Sequence, residues 1–164
     1  MTIPVKPVAG PKENLKTMQV LMGALIIGIS IFTVIVVFLL SVNGPFLENE
    51  PLVVSTVLLY IAIGLALGCY FFARVIYKRK VETVNNSAIP LNDRLNQYRT
   101  VLILYMACCE GPVLFSLVAL LFTENYWLLI ITSSMMMAMA VKFPFTQKII
   151  SLLNTDWIEQ QELI

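Results

Sequence analysis

The sequence predicts an all-α membrane protein of four transmembrane helices, with both termini on the inner side, and three observations carry this. First, 59% of the residues are hydrophobic and only 13% charged, with a mean hydropathy of +0.84. A soluble domain of 164 residues cannot hide so much apolar surface. Second, the apolar residues fall into runs of the length that a bilayer requires, about 20 residues each. Third, the positive charges are sorted along the chain. With both termini inside, the inner segments hold all eleven Lys and Arg, and the outer links hold only Glu48, Glu50 and Glu124. This is the pattern of the positive-inside rule.

Residues 1–17 read as a polar inner arm with Lys6, Lys12 and Lys16. Pro4 and Pro7 disfavour a helix there, while Pro11 suits a first helical position. The first span covers about residues 18–40, too long for a signal-peptide core, and so reads as a retained helix. Asn43-Gly44-Pro45 stops it. The second span, about 52–72, ends in the cations Arg74, Lys78, Arg79 and Lys80. Residues 73–100 read as an inner loop, with the spacing Leu91, Leu95, Tyr98 suggesting a turn or two of helix after Pro90. The third span covers about 101–122. The short link Thr123-Glu124-Asn125 makes spans three and four an antiparallel hairpin. The fourth span, about 126–141, is the shortest, and Lys142 can snorkel at its end. The transmembrane domain is thus 18–145, followed by an inner tail, 146–164, with the makings of a surface amphipathic helix. Pro11 to Leu40 and Pro90 to Leu120 share a faint pattern, so two similar helical hairpins are one arrangement to test.

Composition also narrows function. The absence of histidine removes the commonest general base and metal ligand. Cys69, Cys108 and Cys109 all lie in apolar runs, so a disulfide framework is not expected. No phosphate loop, nucleophile–His pair or paired acids spaced for catalysis occur, so the chain reads as a non-enzyme without a cofactor. The aromatic residues belong to the membrane, which speaks against nucleic acid. The partners expected are the lipid bilayer, anionic headgroups at Arg74, Lys78, Arg79 and Lys80, and other membrane subunits or further copies of the chain. The localisation expected is an integral membrane protein of a bacterial inner or plasma membrane.

One side chain stands out. Glu110 lies 11 residues past Arg99 and 13 before Thr123, roughly 16 Å and 20 Å along a helix, and so near the midplane. A charged group costs at least about 2.5 kcal/mol at that depth, so a neutral, protonated form facing other helices is expected. Gly111 and Pro112 follow it, and Pro112 deprives the Cys108 carbonyl of its intrahelical donor. Ser30, Thr33, Tyr60, Thr132, Ser133 and Ser134 fall at similar depth and are candidates for a polar cluster around Glu110. Two readings stay open: Glu110 ties helices together, or it loads and unloads a proton or cation.

Gly64-x-x-x-Gly68, with Ala62 and Ala66, marks a face where helix backbones can approach closely. Gly64, Gly68, Gly111 and Pro112 are therefore candidate helix-packing positions. A third and more remote reading is a Cu(I) site from Met135, Met136, Met137 and Met139 with Met106, Cys108 and Cys109, since soft sulfur ligands select that ion. Methionine is equally the flexible filler of apolar interiors.

Residues 52–122 resemble the helical hairpin of the proteolipid subunit of rotary ATP synthases. The resemblance rests on Ala62-Ile-Gly64-Leu-Ala66-Leu-Gly68 in the first helix and Ala73-Arg74 at its inner end. In the second helix it rests on Glu110 ahead of an apolar stretch. It implies a cytoplasmic loop and assigns Glu110 the place of the carboxylate that carries the proton or sodium ion.

Overall fold

The computed structural model describes residues 10–44, 52–85, 90–147 and 149, and the regular elements among them are four α-helices. They are α1 (Pro11–Asn43), α2 (Leu52–Asn85), α3 (Leu91–Thr123) and α4 (Trp127–Val141). The expected amphipathic tail and the arm before Gly10 lie outside the described residues, apart from Thr146, Gln147 and Ile149.

Local chemistry explains where each helix begins and ends. Pro11 occupies the first turn of α1, where its missing N–H costs nothing, and the Asn14 amide closes that turn on the Gly10 carbonyl at 3.0 Å. Gly44 ends α1 with φ +72°, a value that glycine adopts freely, and donates its N–H to Leu40. Pro90 precedes α3, and its carbonyl accepts the amides of Asp93 and Arg94. Glu124 closes α3 in the left-handed conformation and donates to Leu120 at 2.9 Å. Asn125 then joins three elements. Its Oδ1 accepts the Trp127 amide at 3.2 Å, and its Nδ2 donates to Ser55 Oγ of α2 at 3.0 Å.

Three of the helices, α1, α2 and α3, are long and apolar enough to cross a membrane. At about 1.5 Å per residue they reach about 50 Å, well beyond a hydrocarbon core of about 30 Å. The fourth apolar helix, α4, has 15 residues and reaches about 22 Å, short of that thickness.

The inner loop expected at 73–100 is largely helical. α2 continues to Asn85 and α3 already starts at Leu91. No glycine or proline interrupts 74–85, and Ala73, Tyr77, Val81 and Val84 form a buried stripe that faces Leu91, Leu95, Tyr98 and Val101 on the partner helix. Hydropathy marks where lipid ends, whereas this stripe carries the helix pair further. Gly111-Pro112 likewise leaves α3 unbroken from Leu91 to Thr123, with the Pro112 ring buried against its neighbours. Packing against other helices is what lets a spanning helix keep such a residue.

α3 is the centre of the bundle. It packs on all three other helices, most extensively on α2, whereas α1 and α2 do not form a packed pair. The arrangement is therefore not two like hairpins side by side. α1 lays the stripe Leu15, Met18, Met22, Ile29, Val36 and Leu40 against the bundle along its whole length. Its outer face exposes Val20, Ile27, Ile31, Val34 and Phe38. A surface so apolar suits lipid and not water.

Candidate functional site

Glu110 is half-buried, on the margin of the α3 contact face. Cys109 and Val113 beside it are fully buried. Its own ridge, spaced by three and four residues, runs through Ile103, Ala107, Leu114 and Val118, all exposed. Among the described residues its carboxyl forms no hydrogen bond or ion pair. The side chains of Asn14 and Asn92 hydrogen-bond between the first turns of α1 and α3. Both helices then ascend together, as the continuous buried stripe of α1 requires. That register brings Glu110 near the level of Phe32, within a turn of Ser30 and Thr33.

Those two hydroxyls are already engaged. Ser30 Oγ donates to the Ile26 carbonyl at 2.8 Å and Thr33 Oγ1 to Ile29 at 2.9 Å. Ser134 likewise donates to Ile131 at 2.8 Å, and both it and Ser133 are exposed. Tyr60 is 69% exposed on α2. No hydrogen bond among the described residues joins any of these five to Glu110. Serine and threonine bonding back to their own helix is their usual resort in apolar surroundings.

The small-residue run on α2 divides between two faces. Ala62 and Ala66 are buried, whereas Gly64 and Gly68 are exposed, and a Cβ on either glycine would meet nothing within 4 Å. Gly111 on α3 is also exposed and unobstructed. Within this chain it is the alanines that permit close approach. Of the sulfur residues, Met106, Cys109, Met135 and Met139 are buried in the core, while Met137 is 69% exposed. Among the described residues no group of three or more Cys, Asp or Glu is placed to hold a metal ion.

Sequence reasoning missed the most ordered polar feature. Tyr77 and Tyr98 meet between α2 and α3 with their hydroxyls 3.0 Å apart, both rings buried. Their rings are edge to face at 6.3 Å, and Tyr105 adds a second such contact with Tyr77 at 5.6 Å. Lys142, at the end of α4, sets its Nζ 4.2 Å from the centroid of the Tyr77 ring. Aromatic quadrupoles favour both arrangements. A signal was present: Tyr70 and Tyr77 on one helix, and Tyr98 and Tyr105 on the other, are each seven residues apart and so share a face. Next to this group, Gln19 Nε2 donates to the Pro144 carbonyl at 2.9 Å and fastens α1 to the segment after α4.

A second feature joins Thr132, one of the polar residues expected at mid-depth, with Ser116, which sequence reasoning missed. Ser116 and Thr132 are fully buried on α3 and α4, and neither hydroxyl has a hydrogen-bond partner among the described residues. A cleft of about 360 Å³ also opens between α2, α3 and α4, with Tyr70 and Tyr105 in its wall and Lys142 at one end. No protein-family model, no curated protein and no solved structure matches the chain.

Proposed function

We propose that this chain is a non-catalytic subunit of a membrane assembly, in which Glu110, in its neutral form, is offered to a helix of another subunit. The observation that carries the reading is the position of Glu110: half-buried, on an otherwise apolar and exposed ridge, without a hydrogen bond among the described residues. A neutral carboxyl has one donor and several acceptor sites. Left against acyl chains these go unmet, and a polar group on a neighbouring helix meets them, at a gain of about 0.6–2 kcal/mol. Gly64 and Gly68 support the same reading, since their exposed backbone gives a partner helix room to approach. In this arrangement both termini face the cytoplasm, as the distribution of Lys and Arg favours.

The alternative is an ion-carrying role for Glu110, which the likeness to the proteolipid hairpin favours. One substitution series separates the two. Glu110→Gln keeps shape and hydrogen bonding but cannot titrate, whereas Glu110→Leu loses both. Subunit association predicts that partners co-purifying in mild detergent survive Glu110→Gln and fall off with Glu110→Leu. Partners kept with Glu110→Gln while proton or sodium flux in vesicles is lost assign the carboxyl to ion carriage instead.

A further inference from the structure

We propose that the cleft between α2, α3 and α4 binds one anionic phospholipid, with an acyl chain along the cleft and the phosphate at Lys142 and Arg74. The argument begins with the length of α4. Its 15 residues span about 22 Å of a core about 30 Å thick, while α2 and α3 continue past it. The helix end at Val141 and Lys142 therefore sits beside the flanks of two longer helices, and the space between them is the cleft of about 360 Å³. That volume lies within the range of ligand sites, roughly 300–1,000 Å³.

Its walls are Leu67 and Tyr70 of α2, Tyr105 of α3, and Met135, Met137 and Ala138 of α4. The opening faces lipid, since Leu67 is 53% exposed and Val141 60%. An apolar chain entering sideways from the bilayer meets hydrocarbon, thioether and aromatic surface, and the Ser134 hydroxyl in the lining is already spent on the Ile131 carbonyl. Methionines adapt their shape to such a guest.

Charge selects the headgroup. Lys142 lines the end of the cleft, and none of the described residues that line it is Asp or Glu. Arg74 is exposed and lies four residues beyond Tyr70 and seven beyond Leu67, on the same face of α2. An ammonium has three donors and a guanidinium five, so ring contact with Tyr77 is compatible with phosphate coordination by Lys142. Lys142 in the lining and Arg74 on the same face of α2 favour an anionic over a zwitterionic headgroup. This inference needs the chain to lie in a bilayer and does not depend on the role of Glu110.

The test is native mass spectrometry of the full chain purified in mild detergent, exchanged against phosphatidylglycerol or phosphatidylcholine with identical acyl chains. One phosphatidylglycerol per chain should be retained in preference to phosphatidylcholine. Lys142→Gln and Arg74→Gln should each lower that retention about fivefold, the effect of one juxtamembrane charge. Lys142→Arg should preserve it. Ala138→Phe, which fills the cleft and leaves both cations, should lower retention of both lipids. Lys16→Gln, on α1 and outside the cleft lining, should change nothing. Equal retention of the two lipids by the unaltered chain overturns the proposal. So does a loss with Lys16→Gln as large as with Lys142→Gln, which would mean diffuse surface charge. Helical circular dichroism and resistance to alkaline extraction are read in every variant, so that a failed lipid site is told apart from failed folding or failed membrane insertion.

Discussion

α2 and α3 are nearly the same length and nearly equally apolar, yet half of the apolar window of α3 is buried and only 11% of that of α2. Hydropathy therefore says that both helices are apolar enough to cross a membrane and nothing about which one forms the core. What separates them is the kind of residue at each turn. α3 carries Tyr98, Tyr105, Cys109, Pro112 and Ser116 on its buried arc, groups that gain from protein neighbours. α2 turns Ile61, Leu65, Phe71 and Phe72 outward, and these lose nothing against acyl chains. Lipid tails are as apolar as leucine, so only shape and polarity distinguish a core helix from a peripheral one.

The sharpest way to break that contrast is a matched pair of truncations. Leu117→Ala on α3, where the side chain is fully buried, should destabilise the bundle by about 2–5 kcal/mol. Leu67→Ala on α2, half exposed, should cost under about 1 kcal/mol. Reversible unfolding in mixed micelles measures both, and equal losses would remove α3 from its central place.

A smaller effect is expected where the two helices meet. Tyr77→Phe or Tyr98→Phe leaves the other hydroxyl buried without its partner, at about 1–3 kcal/mol each. The double substitution should cost less than the two singles added together, because it strands no polar group. Strict additivity in that cycle would mean that the 3.0 Å contact contributes nothing. At the opposite end of the pair, Asn125→Ala removes both the cap on Trp127 and the bond to Ser55. A loss of about 1 kcal/mol is expected from the same unfolding assay.

The smallest effect concerns the outer face of α2. Gly64→Ala and Gly68→Ala add a methyl group where nothing lies within 4 Å. Folding should therefore be unchanged or stabilised by up to about 1 kcal/mol through helix propensity. If the isolated chain loses stability instead, that face is packed within the bundle after all. If only co-purification of partners is lost, the glycines belong to the interface proposed above.

Helix starts at Pro11 and the position after Pro90 were legible because proline acts within a single turn. The Asn125 corner followed from a link too short to allow anything but a hairpin. The length of α2 was not legible, since the stripe Ala73, Tyr77, Val81 and Val84 becomes meaningful only once its partner on α3 is known. For the candidate site, the depth of Glu110 could be counted along the chain, but its position at the edge of the contact face could not. The polar residues expected around it, Ser30 and Thr33, are satisfied by carbonyls of their own helix, an option invisible to depth counting.

Composition and local sequence determined that the chain is built of apolar helices of membrane length, where most of them begin, and that one acid lies midway along the third. These follow from hydration and backbone chemistry, which act residue by residue. Only tertiary structure decided that α3 rather than α2 is enclosed, that four tyrosine positions converge between two helices, and that Glu110 faces the rim. Those outcomes depend on which sides of equally apolar helices fit together, and shape is a property of pairs.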